Sequence, residues 1–228
     1  MRITPHEKFE GVFWTIRRGR KIPLTKNLVP GFRSYDESII KFKGEEYRIW
    51  DPYRSKPAAA IVKGLRTFPI RRGTKLLYLG IASGTTASHF SDIVGKEGII
   101  YGVEVAQRVM RVLLNVAATR RNIAPILASA RDPERYVGLV EEVDVVYTDV
   151  SQRDEAEILV RNADMFLKDK GYVIIAIKAS SIDVRLPPRK VYNLVEKVLR
   201  ENGYNPVQMV DLSPFDPKHA IIVAKKKK

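Results

Sequence analysis

The chain has 228 residues, 45% of them hydrophobic and 29% charged, enough for one large domain or one domain with a small appendage around a sizeable core. Cysteine is absent and the three histidines (His6, His89, His219) form no His-x-x-x-His pair, which excludes disulfides, thiolate chemistry and a zinc site, so no metal is expected. Forty Lys and Arg against 26 Asp and Glu give +14 at pH 7, which favours a polyanionic partner, nucleic acid before a membrane surface.

No apolar run approaches the roughly 18 residues of a membrane span. The N-terminal stretch MRITPHEKFEGVFW lacks the continuous apolar core of a signal peptide, so a soluble, cytoplasmic protein is expected. Residues 1–55 read as a small β-rich domain. Phe9 to Ile16 and Ser38 to Asp51 carry alternating, β-branched and aromatic residues, with turns at Arg18-Gly19-Arg20 and Lys43-Gly44-Glu45. Arg17, Arg18, Arg20 and Lys21 cluster at the first turn, where they form either a phosphate contact or a solvated hairpin tip. Pro57 is placed as the first helical residue, with Ala58 to Leu65 leading into a second domain over 56–228.

That domain is organised around LLYLGIASGTTASHF, Leu76 to Phe90. An apolar run suits a strand buried on both faces. The small residues Gly80 to Thr86 form a turn, and Ala87 to Val94 continue as a helix. Such a turn lets backbone approach a ligand, and the helix start offers free N–H donors. A second strand, Gly98 to Val105, ends at Glu104, 20 residues beyond Gly84, where a carboxylate can accept from ribose hydroxyls. Gly-x-Ala-x-Gly is not the dinucleotide fingerprint and leans away from NAD toward S-adenosylmethionine.

Gln107 to Arg121 reads as a helix with Val109, Val112, Leu113 and Val116 on its core face. Strands follow at Ile123 to Ser129, Glu142 to Val150 and Gly171 to Ser180, with helices at Asp154 to Leu167 and from Pro188 to about Asn202. Asn205 to Leu212 and His219 to Lys227 close the sheet as a final pair. Ligands gather beyond the carboxyl ends of parallel strands, which is where Asp149 and Lys178 fall. His219, at the start of an antiparallel last strand, falls at the same edge. Lys178 is there either as an ion-paired structural residue or as a catalytic one.

The segments DPYRSKPAAAI, YLGIASGTTASH, YGVEV, TDVSQ, IKASSID and KHAIIVAK closely resemble the fibrillarin family of RNA ribose 2′-O-methyltransferases, over nearly the whole chain and in the same order. Without the Gly/Arg-rich N-terminal tail of eukaryotic members, the chain resembles the short archaeal form. The resemblance implies a Rossmann-like S-adenosylmethionine-dependent methyltransferase sheet of seven strands, the last pair antiparallel. It implies a catalytic tetrad at Lys56, Asp149, Lys178 and His219. It implies a cofactor site at Gly80, Ala82, Ser83, Gly84, Thr85, Thr86, Glu104, Val105, Ser129, Ala130, Asp149 and Gln152.

Two positions depart from the family pattern. Ser129 stands where members often have an adenine-binding Asp, a contact that Ser129, a backbone group or Asp132 would then supply, and Pro57 stands where leucine is common. The resemblance also implies action on rRNA, with tRNA as a further target, chosen by a box C/D guide RNA. The implied partners are a Nop-type scaffold and a kink-turn-binding ribosomal-type protein. On this reading Lys178 is the base, Lys56 a like charge favouring its neutral form, and Asp149 the group that orients Lys178 and the hydroxyl. His219 positions Asp149 or the RNA. The competing readings are a stand-alone RNA 2′-O-methyltransferase and a non-enzymatic RNA-binding subunit that kept the fold.

Overall fold

A computed structural model describes residues 2–227 and shows two sheets. The first is a five-stranded antiparallel sheet, ordered β1-β2-β3-β5-β4, from Ile3–Pro5 (β1), Val12–Arg17 (β2), Arg20–Lys26 (β3), Ile39–Phe42 (β4) and Glu45–Ile49 (β5). Its hairpins turn at Arg18-Gly19 and Lys43-Gly44, all four with positive φ, which is the geometry a two-residue hairpin loop demands. β1 and β3 have no counterpart among the strands expected from the sequence. β3 contains Pro23, normally a mark against a strand, but its pairing with β5 begins only at Leu24, so the missing N–H costs nothing there.

The second sheet has the order β11-β12-β10-β9-β6-β7-β8. Its strands are Lys75–Leu79 (β6), Ile99–Glu104 (β7), Ile123–Leu127 (β8), Val143–Thr148 (β9), Leu167–Lys178 (β10), Tyr204–Asp211 (β11) and His219–Lys226 (β12). β8, β7, β6, β9 and β10 run parallel; β12 is antiparallel to both β10 and β11. The helices are Lys56–Val62 (α1), Thr85–Val94 (α2), Gln107–Thr119 (α3), Glu155–Phe166 (α4), Ala179–Ile182 (α5) and Pro188–Glu201 (α6). One apolar cluster, containing Leu76, Tyr78, Ile100 and Ile174, joins the sheet to α1, α2 and α3; the other, containing Leu77, Val103, Val146 and Ile175, joins it to α4 and α6.

Three local expectations need correction. α1 begins at Lys56, with Pro57 second, and ends at Val62. α2 begins at Thr85, directly after the left-handed Gly84. The buried stripe of α3 is Met110, Leu113 and Val116, while Val112 is half exposed, because at 100° per residue it sits a quarter-turn away from Leu113.

The first sheet is fastened to the second through buried charge. Asp92 on α2 accepts from Arg48 on β5 (2.7 Å), from Arg120 just after α3 (2.5 Å), from the Thr25 hydroxyl (2.7 Å) and from the Leu28 N–H (2.9 Å). Arg48 also pairs with Glu37 at 2.6 Å. Burial works against its charge, but Asp92 and Glu37 together hold its pKa above the ordinary guanidinium value. Burial pulls Arg120 the other way, and Asp92 offsets that only in part because Arg48 repels it. Thr25 spends its only proton on Asp92, so it accepts from His89 Nδ1 (2.8 Å), and His89 Nε2 accepts from the Tyr35 hydroxyl (2.6 Å). Burial, then Arg48 and Arg120, keep this imidazole neutral, its pKa well below the ordinary value.

Removing Asp92 would strand Arg120 and leave Arg48 with Glu37 alone. Asp92→Ala is expected to cost about 3–5 kcal/mol of stability. Chemical denaturation that found a loss below about 1 kcal/mol would show that water reaches the cluster.

Candidate active site

The strand ends β6, β7, β9 and β10 share one edge, as their parallel register requires. β6 delivers the turn Gly80 to Gly84. Gly80 has φ +74°, and a side-chain carbon there would lie 2.8 Å from the Asp149 carbonyl oxygen, so only glycine allows the two segments to pass. Ala82 is also left-handed, at φ +52°, and donates its N–H to Glu104 Oε2 at 3.0 Å. Glu104 Oε1 accepts from the Ala106 N–H at 2.8 Å, which leaves this carboxylate fixed at the end of β7 with lone pairs to spare.

Around these residues lies a cavity of about 380 Å³. Gly80, Ala82, Glu104, Val105, Ser129, Ala130, Asp149 and Gln152 line it, eight of the expected cofactor residues drawn from four separate segments. Ser83, Gly84, Thr85 and Thr86 do not. They form the helix entry behind it, where Gly84 packs against Leu113 and Thr86 bonds to Ser55. Ala128, Val150, Ile158 and Arg131 also line the cavity and were not among the residues expected from the sequence. Arg131 donates to Gln152 Oε1 (3.1 Å) and pairs with Asp154. Ser129, beyond the end of β8, accepts from the Arg131 N–H at 3.1 Å.

Asp149 belongs to the cavity and also to the charged edge beside it. Its Oδ1 accepts from Lys56 Nζ at 2.6 Å, the two side chains each 18% exposed, although 93 residues separate them in the chain. Lys56 arrives by a defined route. Trp50 stacks on His89 at 5.3 Å and donates its indole N–H to Ser55 Oγ at 2.8 Å. Ser55 then meets Thr86 Oγ1 at 2.9 Å, which pins the start of α1 to the start of α2.

Lys178 closes β10 and sits directly opposite His219, the first residue of β12. The antiparallel return expected from the sequence therefore puts both at the same edge. His219 does not reach for Asp149. Its Nδ1 faces Asp216 Oδ1 (2.7 Å) and the Pro217 carbonyl (3.0 Å), two acceptors that place the proton on Nδ1 and leave Nε2 as an acceptor in the neutral ring. Among the described residues Lys178 Nζ has no salt-bridge partner, so Asp149 is committed to Lys56. Burial raises the Asp149 pKa, with Lys56 and then His219 opposing and Asp216 reinforcing it.

The Fibrillarin family model matches residues 3–228 of this chain. The chain belongs to the fibrillarin family. A "Fibrillarin-like rRNA/tRNA 2'-O-methyltransferase" of Methanopyrus kandleri is 49% identical over 97% of this chain and 96% of its own length. The structure of Aeropyrum pernix fibrillarin with natively bound S-adenosyl-L-methionine is 53% identical, covers 98% of each chain and superposes with a TM-score of 0.92. A fibrillarin/Nop5p complex contains a chain 40% identical, at a TM-score of 0.85, covering 97% of this chain and all of that one. The fibrillarin-family fold here is thus the α/β methyltransferase sheet with a separate antiparallel N-terminal sheet.

Removing the Lys56 ammonium takes away the largest opposing influence on Asp149. Lys56→Met is therefore expected to raise the Asp149 pKa further, as followed by carboxyl-carbon NMR titration. A raised carboxyl pKa favours the protonated fold, so the variant loses stability, relative to the parent, as pH rises from the unfolded carboxyl value through the folded one. An unchanged Asp149 titration would mean that the 2.6 Å pair does not form in solution.

Proposed function

We infer that this chain is a cytoplasmic S-adenosylmethionine-dependent RNA ribose 2′-O-methyltransferase acting on rRNA and tRNA. We further infer that it is the catalytic subunit of a box C/D guide RNA–protein complex with a Nop-type scaffold and a kink-turn-binding protein. The observation that carries the reading is the placement of Lys56, Asp149, Lys178 and His219 along one strand edge, with Asp149 also lining a cavity of about 380 Å³. The names of the relatives and of the Nop5p complex support it.

The cavity suits the cofactor by its chemistry. Glu104 presents a fixed carboxylate for ribose hydroxyls, and Val105, Ala128 and Ala130 give apolar walls beside the Ser129 and Gln152 polar groups. When bound, S-adenosylmethionine supplies an activated methyl on a sulfonium whose leaving group departs neutral, so no general acid is required. The ribose hydroxyl, in contrast, is a poor nucleophile and needs a base. Lys178 takes its proton in the neutral state. Lys56 pairs with Asp149, so the carboxylate beside the hydroxyl is already compensated by a charge other than Lys178. Asp149 orients the hydroxyl between the cavity and Lys178. His219 is anchored on Asp216 and the Pro217 carbonyl through Nδ1, which leaves Nε2 uncommitted for the RNA.

The RNA approaches along a cleft of about 1130 Å³ lined by Arg17, Arg18, Arg20, Lys21, Tyr53 and Phe215. Tyr53 and Phe215 meet edge to face at 5.1 Å, and each lies a few residues before a tetrad member in the chain. Cations clustered in this way neutralise phosphates without reading bases. Sequence choice then falls to the guide.

The decisive assay transfers labelled methyl to target RNA with and without guide RNA and scaffold, and with a 2′-deoxy target nucleotide. Guide-dependent methylation that vanishes with the deoxy target is expected. Methylation of naked RNA would indicate the stand-alone enzyme, and none under any condition a binding subunit. Lys178→Ala is expected to lower the single-turnover rate by about 10²–10⁴-fold with cofactor affinity unchanged. Glu104→Ala, which removes charge-assisted hydrogen bonds, is expected to weaken cofactor binding by about 10–100-fold in calorimetry. Equal rates for Lys178→Ala and the parent would refute the base assignment.

A further inference from the structure

Glu155 is a buried acid at the catalytic edge to which the chemistry above gives no task. It is the first residue of α4, the helix that follows β9 and leads into β10, the strands that carry Asp149 and Lys178 at their ends. Its side chain is fully shielded from solvent, and neither carboxyl oxygen has a hydrogen-bond partner among the described residues. The buried carboxyls Asp92 and Glu37 are paired, Asp92 with Arg48 and Arg120 and Glu37 with Arg48, and the partly exposed Asp149 is paired with Lys56. A carboxylate ion without such partners is costly to bury, and the usual escape is to keep its proton.

The groups around it push the same way on balance. Burial and then Asp149 disfavour its charge, while Lys56 from α1 and, last, the Lys178 backbone N–H from β10, which lies near the carboxyl without completing a hydrogen bond, favour it, and together they push Glu155 up to about 8. The Tyr147 hydroxyl, on β9, is buried and also without a partner. Burial, then Tyr78 and Asp149, with Glu155 as a smaller contributor, raise its pKa well above the phenol range, so it adds no charge of its own. Asp149 and Glu155 thus form two carboxyls in one water-poor site, where ionising the first opposes ionising the second.

We propose that Glu155 is a positioning residue that stands as a neutral carboxylic acid beneath the catalytic edge, so that no second, uncompensated anion lies beside the Asp149–Lys56 pair and Lys178. The inference rests on the methyltransferase reading. Losing the Glu155 proton to solvent would set a second anion under the lysines and hold both more firmly as ammonium ions. Lys178 would then be a poorer acceptor for the hydroxyl proton, at the alkaline pH where a lysine base should otherwise gain.

Glu155→Gln keeps the shape and cannot ionise. In single-turnover methyl transfer by the assembled guide complex at saturating cofactor, the variant is expected to match the parent within about twofold at pH 6.5. It is expected to exceed the parent by about three- to tenfold at pH 9.5, with the KM for RNA unchanged, as one added charge nearby would produce. A variant-to-parent ratio that stays flat from pH 6.5 to 9.5 overturns the proposal. Carboxyl-carbon NMR of the parent protein alone is an independent test: titration well above the ordinary glutamate range supports the proposal, and titration within that range overturns it. Because the NMR measurement needs no methylation, an inactive parent complex would count against the enzymatic reading while the NMR still decides the protonation of Glu155.

Discussion

Asp92 is the point on which the arrangement depends. One carboxylate bridges two buried guanidinium groups: Arg48 from the N-terminal sheet, which Glu37 also compensates, and Arg120 from the end of α3, which has no other salt-bridge partner among the described residues. Because β5 is tied down by Arg48, the chain leaves that strand in a fixed direction. Trp50 can then lie flat on His89, and Ser55 can touch Thr86. Lys56 follows Ser55 immediately. The N-terminal sheet is therefore more than an appendage with basic residues: it carries one member of the tetrad to Asp149 and holds it there.

What the residue pattern revealed and what it hid divide along a physical line. The strand-turn-helix at Leu76 to Val94, the edge placement of Asp149 and Lys178, and the return of His219 were legible because hydrophobic runs and glycine punctuation are local signals. β3 was not, since Pro23 and the flanking charges look wrong for a strand until the late start of its pairing with β5 is known. Arg131 was missed because nothing local marks a loop arginine that folds back onto Gln152 and Asp154. Nothing local marks Glu155 either, since an acid in a first helical turn suits the helix dipole. Its burial follows from how α4 meets the sheet, and no window of sequence holds that information.

The pairing at the edge was only half legible. From the sequence, Asp149 is the obvious ion-pair partner of Lys178, because both fall at strand ends on the same edge. The structure commits it to Lys56, while His219 is taken by Asp216. Long-range ion pairs of this kind depend on the relative position of two sheets, which is set by the cluster around Asp92, a residue more than 50 positions before Asp149 in the chain.

The commitment of Asp149 to Lys56 also resolves a conflict in the chemistry. A base lysine at the end of a buried strand must be near an anion to be oriented, yet a free anion beside it would keep it protonated. Pairing the carboxylate with a different ammonium satisfies both needs: Asp149 stays fixed at the cavity wall, and its field at Lys178 is largely cancelled by a charge 2.6 Å away. The cancellation works only if no further uncompensated charge lies close by, and that is the condition that a buried, unpaired carboxyl such as Glu155 can break or preserve by the state of one proton. On the proposed mechanism, the local balance of charge, more than the identity of any one side chain, is what would let a lysine serve as a base at this edge.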